Sequence, residues 1–335
     1  MGNEQLLEIR DLHAHIGTPR GTVRAVDGVS FQLAEGQALG VVGESGSGKS
    51  VMAKAIMGLM PHRSARSGEI SFQGRDLMAL NKKEKQEVWG KQISMVFQDP
   101  GRSLNPVVRV ERQLTEGMRK HLGVSRSEAH SRALGLLTEV GVPDPERRLR
   151  NYPHEMSGGM RQRVMIAIAL ACEPDLLIAD EPTTALDVTI QRQILDLLRR
   201  IQRERGASMM LISHDLAVVA GRTDRVAVMY AGKMAEIGST REVFEAPRHR
   251  YTHALLGATP TIDHPRHSPL RLIEGSLPNP VAPPEGCRFG PRCSHAVAEC
   301  TTPGPVMVSV GRDHSVSCVV PVDALASVGG GSNGR

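Results

Sequence analysis

The sequence predicts an α/β fold interrupted by an all-helical insertion and followed by a small cysteine-rich C-terminal domain. Three observations lead there. Short apolar runs with strand character, Ala38–Val42, Leu176–Ala179, Met209–Ile212 and Val226–Met229, are separated by helical patterns. Between Pro106 and Cys172 the pattern is helical throughout, placing an insertion over about residues 100–173. After Leu256 prolines cluster from Pro260 to Pro305, and four of the 5 cysteines follow. A domain boundary is therefore expected near residue 260, dividing residues 1–260 from a tail domain over 261–325. The Gly- and Ser-rich end, residues 326–335, reads as disordered.

Taken in order, Val29–Leu33 alternates apolar and polar residues, as a half-buried strand does. Ala38–Val42 suits a buried central strand, and Val51–Leu59 continues as a helix. Ile70–Asp76 reads as a strand entering a turn, and Ile93–Phe97 as another strand. Within the insertion, Ala129, Ala133, Leu136, Leu137 and Val140 fall at helical spacing along Arg126–Val140. Ile190, Ile194, Leu197, Leu198 and Ile201 mark an amphipathic helix between two strands.

Composition excludes several classes. No apolar run approaches the ~20 residues that span a bilayer; Val164–Cys172 is the longest and fits a buried helix. Met1-Gly-Asn-Glu-Gln5 has no basic stretch leading into an apolar one, so no signal peptide is expected. Leu6 stands where myristoylation requires Ser or Thr. The net charge of +5 is mild. The basic stretch Arg147-Arg148-Leu149-Arg150 has few aromatics beside it, and nucleic acid is not an expected partner.

The chemistry lies in three places. Gly43-Glu44-Ser45-Gly46-Ser47-Gly48-Lys49-Ser50 follows a strand and opens a helix, the context a phosphate-binding loop requires. Its glycines let the backbone wrap phosphates, Lys49 reaches the β- and γ-phosphates, and Ser50 is placed to ligate Mg²⁺. Leu176–Glu181 is an apolar strand ending in two carboxylates, Asp180 for the Mg²⁺ shell and Glu181 to polarise a water. Gln98 and His214 also end strands. Gln98 suits a Mg²⁺ or water contact and His214 a contact to the γ-phosphate. Either alone reads as a surface residue, and their joint placement carries the case. Ser157-Gly158-Gly159-Met160-Arg161 opens a helix with small residues, leaving N–H groups free for a second anion.

Phosphate loop, Gln98, Ser157–Arg161, Leu176–Glu181, Ala185-Leu186-Asp187 and His214, in this order, resemble the ABC-type ATPases over residues 1 to about 245. Phe97-Gln-Asp-Pro100, Ser103-Leu-Asn-Pro106, Tyr152-Pro-His154, Ile178–Val188 and Tyr251–Leu256 narrow the resemblance to ATPase subunits of oligopeptide/dipeptide importers. The resemblance implies a RecA-like mixed sheet, an antiparallel β subdomain and the helical insertion. It also implies two ATPase subunits, here a heterodimer, with two ATP molecules between them, so that Ser157, Gly158 and Gly159 serve the partner's nucleotide. Two membrane permease subunits and an extracytoplasmic peptide-binding protein complete the complex, with this chain peripheral on the cytoplasmic face of a bacterial plasma membrane. Nickel, glutathione or another small solute is the alternative cargo; a soluble ABC ATPase acting on nucleic acid, or a purely structural metal protein, accounts for fewer of the motifs. Two positions depart from the family pattern. Ile16 replaces the aromatic that stacks on adenine, which leaves nucleotide selectivity open, and Met156 stands for a leucine.

Cys287, Cys293, Cys300 and Cys318 are separated by five, six and seventeen residues. Four thiols in a coreless cytosolic tail suggest a metal staple rather than disulfides. The spacing lacks paired zinc knuckles, and the resemblance implies a 4Fe–4S cluster, with Zn²⁺ or free thiols as alternatives. Cys172, expected in the helix after Ser157–Arg161, reads as a core residue.

Overall fold

A computed structural model describes residues 5–184, 186–259, 272–301 and 304–322. The chain opens with strands β1 (Gln5–Thr18), β2 (Gly21–Ala34) and β3 (Ala38–Val42), then helix α1 (Lys49–Ile56). Next come β4 (Ser64–Phe72), β5 (Arg75–Asp76), α2 (Lys82–Val88) and β6 (Ile93–Val96). The helical segment holds α3 (Pro100–Ser103), α4 (Val110–His121), α5 (Arg126–Glu139), α6 (Pro145–Arg150) and α7 (Gly158–Leu170). It is followed by β7 (Leu176–Asp180), α8 (Val188–Arg205), β8 (Ser208–Ser213), α9 (Leu216–Val219), β9 (Arg225–Tyr230) and β10 (Lys233–Ser239). Helices α10 (Thr240–Glu245) and α11 (Arg250–Gly257) precede the tail, which contributes β11 (Val308–Ser309) and β12 (Ser315–Val316).

The chain packs as two compact units, one from residues up to 7, 33–38 and 71–212, the other from 8–32, 39–70 and 213 onwards. In the first, β6, β7 and β8 pair in parallel, with Ile93↔Leu176 and Leu176↔Ser208 in register. Every residue of β7 and β8 is buried, which explains their continuous apolar reading. The insertion closes its own core with Leu114 and Met118 of α4, Ala129, Ala133 and Leu137 of α5, and Val164 of α7. Several helix starts carry a side-chain cap. Ser125 accepts from the Glu128 N–H for α5, and Asp187 from the Ile190 N–H for α8.

In the second unit β3 pairs in parallel with β9 (Leu39↔Arg225), and β10 returns antiparallel to β9, so the sheet is mixed. A second sheet carries β2, β1 and β4 in that order, with β1 and β2 forming a hairpin closed by Thr18 Oγ1 donating to Gly21 O at 2.7 Å. β12 joins β10 through Glu236↔Val316 and Ile237↔Ser315. Buried Glu236 completes that junction, taking the Arg248 and His249 N–H groups and pairing with His314 of the tail at 2.7 Å. Gly238 makes room, since a Cβ there would lie 2.9 Å from the His314 ring.

Differences from the sequence reading have local causes. β1 and β10 were not foreseen, because polar residues interrupt their apolar ones. Cys172 lies beyond α7, which ends at Leu170; Glu173 takes a left-handed φ of 54° and Pro174 follows, so the helix cannot continue. Its sulfur is still buried, and burial pushes the thiol pKa up. The boundary expected near residue 260 and the segment 326–335 lie outside the described residues.

Buried His249 caps α11 by accepting the Tyr251 N–H at its Nδ1. Burial holds its pKa down at about 4, against the opposing pull of Glu236. The unfolded chain therefore binds the extra proton first, so stability is lost as pH falls from about 6.5 to 4, by up to about 3 kcal/mol. Urea melts across that window should show the loss. His249→Asn, which keeps a cap acceptor and does not titrate, should flatten the dependence; an unchanged slope would assign it to other groups.

Candidate nucleotide-binding site

The phosphate loop is shaped by two glycines that no other residue can replace. Gly43 (φ 149°) and Gly48 (φ 103°) approach backbone so closely that a Cβ would lie 2.1 Å from Met229 O and 2.1 Å from Ala25 O respectively. Gly46, at φ 85°, sits with Ser45 on the exposed crest of the loop. Lys49 is the first residue of α1 and only 4% exposed. Its ammonium donates to Gly43 O (2.7 Å), Glu44 O (3.0 Å) and Ser47 Oγ (3.3 Å), which curls the loop around the charge. Ser50 follows it, half-buried, in the first turn of the helix. The result is a basic group and a helix N-terminus at one concave backbone turn, an anion site by construction.

At the ends of the parallel strands, Gln98 and Glu181 meet. Gln98 Nε2 donates to Glu181 Oε2 at 2.7 Å, and Thr184 Oγ1 donates to the same oxygen at 3.1 Å. Asp180 closes β7 and is 2% exposed. Glu181 itself takes φ 44°, a left-handed conformation costing a glutamate on the order of 1–3 kcal/mol. Its N–H donates to Ile212 O at 3.0 Å, so the ladder with β8 holds the strained turn and fixes the carboxylate. Two donors on one oxygen hold the carboxylate in a single orientation.

The remaining predicted residues are placed as follows. Ser157 is the N-cap of α7, its Oγ accepting the Met160 N–H at 3.3 Å, and Gly158 beside it is exposed. Gly159 abuts α8, where a Cβ would lie 3.1 Å from Ile190 Cγ2. Arg161 Nε donates back to Pro153 O at 2.7 Å, fixing the approach to the helix. Met156 is buried, as the leucine it replaces would be. His214 is exposed directly after β8, and Ile16 is half-buried in β1. Of Ala185-Leu186-Asp187, Asp187 caps α8, while Ala185 lies outside the described residues.

Residues 26–184 match the family described as "ABC transporter", and 235–300 the "Oligopeptide/dipeptide transporter, C-terminal region". The chain is 50% identical to the dipeptide transport ATP-binding protein DppD of Bacillus subtilis, over 94% of each protein. It is also 50% identical to the oligopeptide transport ATP-binding protein OppD of the same organism, over 93% of this chain and 88% of that one. Among solved structures it resembles the ATP-binding cassette MJ0796, in a dimeric post-hydrolysis state bound to ADP and Pi. That match has TM-score 0.63 at 28% identity, covering 70% of this chain and 99% of that one. This chain belongs to the ABC transporter ATP-binding proteins, in the oligopeptide/dipeptide group.

Within this cassette, the residues the sequence reading missed come from the tail. Arg292, beside Cys293, is 6% exposed at its side chain and grips both oxygens of the phosphate-loop Glu44, at 3.0 and 3.1 Å. The same Nη1 donates to Tyr230 Oη at 3.1 Å, while Nε and Nη2 donate to Glu274 O and Ile273 O. Arg288, beside Cys287, is buried and pairs with Asp27 of β2 and with Ala231 O. Phe289 stacks among Tyr230 and Tyr251, with ring centroids 5.3 and 5.4 Å away. Tyr251 in turn receives the Glu44 N–H at 2.9 Å, and burial pushes its phenol pKa up, keeping the hydroxyl neutral. The Gly43–Ser50 loop is thus held from behind by residues flanking two cysteines. No single motif marks them, because arginines among prolines read as surface.

The cysteine turns are themselves ordered. Cys287 N–H donates to Cys300 O at 2.7 Å, and Gly286 permits that approach, since a Cβ there would lie 2.1 Å from Cys300 O. The Cys287 sulfur receives the Phe289 and Gly290 N–H groups and the Cys293 sulfur that of His295. Both thiols feel Cys300 and Cys318, and burial raises the pKa of each.

Glu181→Gln should leave ATP affinity intact and reduce turnover by at least about 100-fold; an unaltered rate in a steady-state ATPase assay would remove Glu181 from the base role. Lys49→Ala should abolish measurable ATP binding by calorimetry, and unchanged affinity would contradict the phosphate-loop assignment. Arg292→Ala should weaken ATP binding roughly 10-fold, because Glu44 loses a charge-assisted pair. Arg292→Lys should recover only part of that, because a single ammonium cannot reach Glu44 and the Glu274 and Ile273 carbonyls together.

Proposed function

We propose that this chain is the ATP-hydrolysing subunit that powers import of oligopeptides or dipeptides through a membrane ABC transporter. The observation that carries the proposal is the Gln98–Glu181 contact on a strained strand end, in a chain that also holds a formed phosphate loop. ATP is taken at Gly43–Ser50, with Lys49 swinging from loop carbonyls to the phosphates and Ile16 packing on the base. Ser50, Gln98 and Asp180 hold Mg²⁺, which neutralises charge on the β- and γ-phosphates. Glu181 accepts the proton of the attacking water, and His214 contacts the γ-phosphate. Ser157, Gly158 and Gly159 present the start of α7 to the ATP held by a second ATPase subunit. Two permease subunits receive the motion, and an external peptide-binding protein delivers cargo, with this chain peripheral at the cytoplasmic face. Among the described residues no helix is long and apolar enough to cross a membrane, so anchoring falls to the permeases. In this scheme residues 1–260 form the ATPase domain and 261–325 the cysteine domain.

The cysteine domain is proposed to hold a 4Fe–4S cluster through Cys287, Cys293, Cys300 and Cys318. Four neighbouring sulfurs, two of them hydrogen-bonded by backbone N–H groups, supply the donors such a cluster uses. Among the described residues no three of these sulfurs lie within 4.8 Å of one another. A zinc ion with bonds of ~2.3 Å would draw them closer than that. The cluster supplies covalent cross-linking of a loop-rich segment, and Arg288 and Arg292 carry that rigidity to Asp27 and Glu44.

Reconstitution of the complex tests the reading. ATPase activity should rise several-fold on adding peptide-loaded binding protein and stay low for the chain alone. Stimulation by nickel or glutathione instead, or co-purification with nucleic acid rather than permeases, would contradict it.

A further inference from the structure

His13 and His15 alternate along β1 and so face the same side of the hairpin, where both reach Asp27 of β2. His13 Nδ1 and His15 Nε2 each lie 3.0 Å from Asp27 Oδ1, with the rings edge to face at 5.6 Å. The second nitrogen of His13, Nε2, lies 3.1 Å from Asp11 Oδ1. A neutral imidazole has one N–H and one lone pair. His13 therefore has a carboxylate oxygen against each nitrogen but a proton for only one. The remaining nitrogen needs either a second proton or a cation between it and the oxygen it faces.

We propose that His13 Nδ1, His15 Nε2 and Asp27 Oδ1 bind a divalent transition-metal ion of the zinc, nickel or copper class, at a site separate from the cysteines and the nucleotide. One ligand atom from each of these three residues lies within 4.8 Å of the other two, the only such group among the described residues. A metal on Nδ1 resolves the conflict at His13, whose Nε2–H then donates to Asp11. A ligand histidine commonly gives its other N–H to a carboxylate in this way, which fixes the tautomer and strengthens the ligand. Asp27 is held likewise, its Oδ2 paired with buried Arg288. Gly28 (φ 81°) leaves the space: a Cβ there would lie 3.1 Å from Asp11 Oδ1 and 3.7 Å from His13 Cε1. The histidine side chains are 31% and 27% exposed, giving an ion an entry path and an open fourth position for water. Two imidazoles and one carboxylate suit zinc, nickel and copper, whereas Mg²⁺ prefers oxygen ligands and water, so the ion that accompanies ATP is not favoured here. Arg288 and nearby Lys233 oppose a cation, so the imidazoles must provide most of the affinity.

Cobalt(II) titration of the full chain, followed by visible absorption, tests this. Nitrogen and oxygen ligation gives d–d bands alone, whereas cobalt on the cysteines adds sulfur-to-metal charge transfer, so the two sites are read apart. One equivalent should bind without the sulfur band. His13→Ala and His15→Ala should each weaken it more than 10-fold, and Asp11→Ala, which removes only the partner of His13, about 10-fold. Thermal melts and Mg-ATP affinity of each variant, unchanged from the parent, confirm that the fold persists. Equal cobalt binding by parent and His13→Ala/His15→Ala overturns the proposal. So does nitrogen NMR of the metal-free parent showing His13 doubly protonated at neutral pH with no response to Zn²⁺, the signature of an ion-pair cluster only.

Discussion

The pairing of two buried tail arginines with carboxylates of the nucleotide-binding unit is the constraint on which the rest depends. A buried guanidinium without a partner is strongly destabilising, so Arg292 and Arg288 can be accommodated only where Glu44 and Asp27 meet them. Each arginine is one residue from a cysteine in sequence, and each carboxylate lies on the phosphate loop or on β2. Whatever fixes the cysteines therefore fixes the backs of these two elements. The aromatic packing agrees with this, because the chain has 3 tyrosines and two of them cluster with Phe289 behind the loop.

A different device operates at the strand ends. There the carboxylate is aimed by backbone strain: β7 is paired on both sides, its last residue is buried, and the chain must turn sharply at Glu181. A glutamate is kept in a left-handed conformation only where its surroundings over-determine it. The Gln98 and Thr184 donors then select the orientation of its side chain. The phosphate loop is thus held by ion pairs and glycines, the Glu181 carboxylate by a strand ladder.

Much of this was legible in the sequence. Ala38–Val42 is recovered residue for residue as β3, because a fully buried strand between two turns has little alternative reading. Gly43, Lys49 and Glu181 were legible because their chemistry imposes spacing. β1 was not, since His13, His15 and Asp11 interrupt its apolar residues for reasons of side-chain chemistry. The arginine pairs were invisible because Arg292 and Glu44 are 248 positions apart, and nothing local to either signals the other. The pairing of β12 with β10 escaped for the same reason, two-residue strands being too short to show a period.

Hydrogen exchange of the phosphate-loop amides, residues 43–50, in the parent chain and in Arg288→Ala/Arg292→Ala measures the central coupling directly. Exchange in that segment is expected to accelerate by roughly 10-fold or more in the variant, as loss of two charge-assisted pairs implies, while the β7 and β8 amides keep their protection. Unchanged protection of residues 43–50 would show that the phosphate loop stands without the tail and would contradict the account.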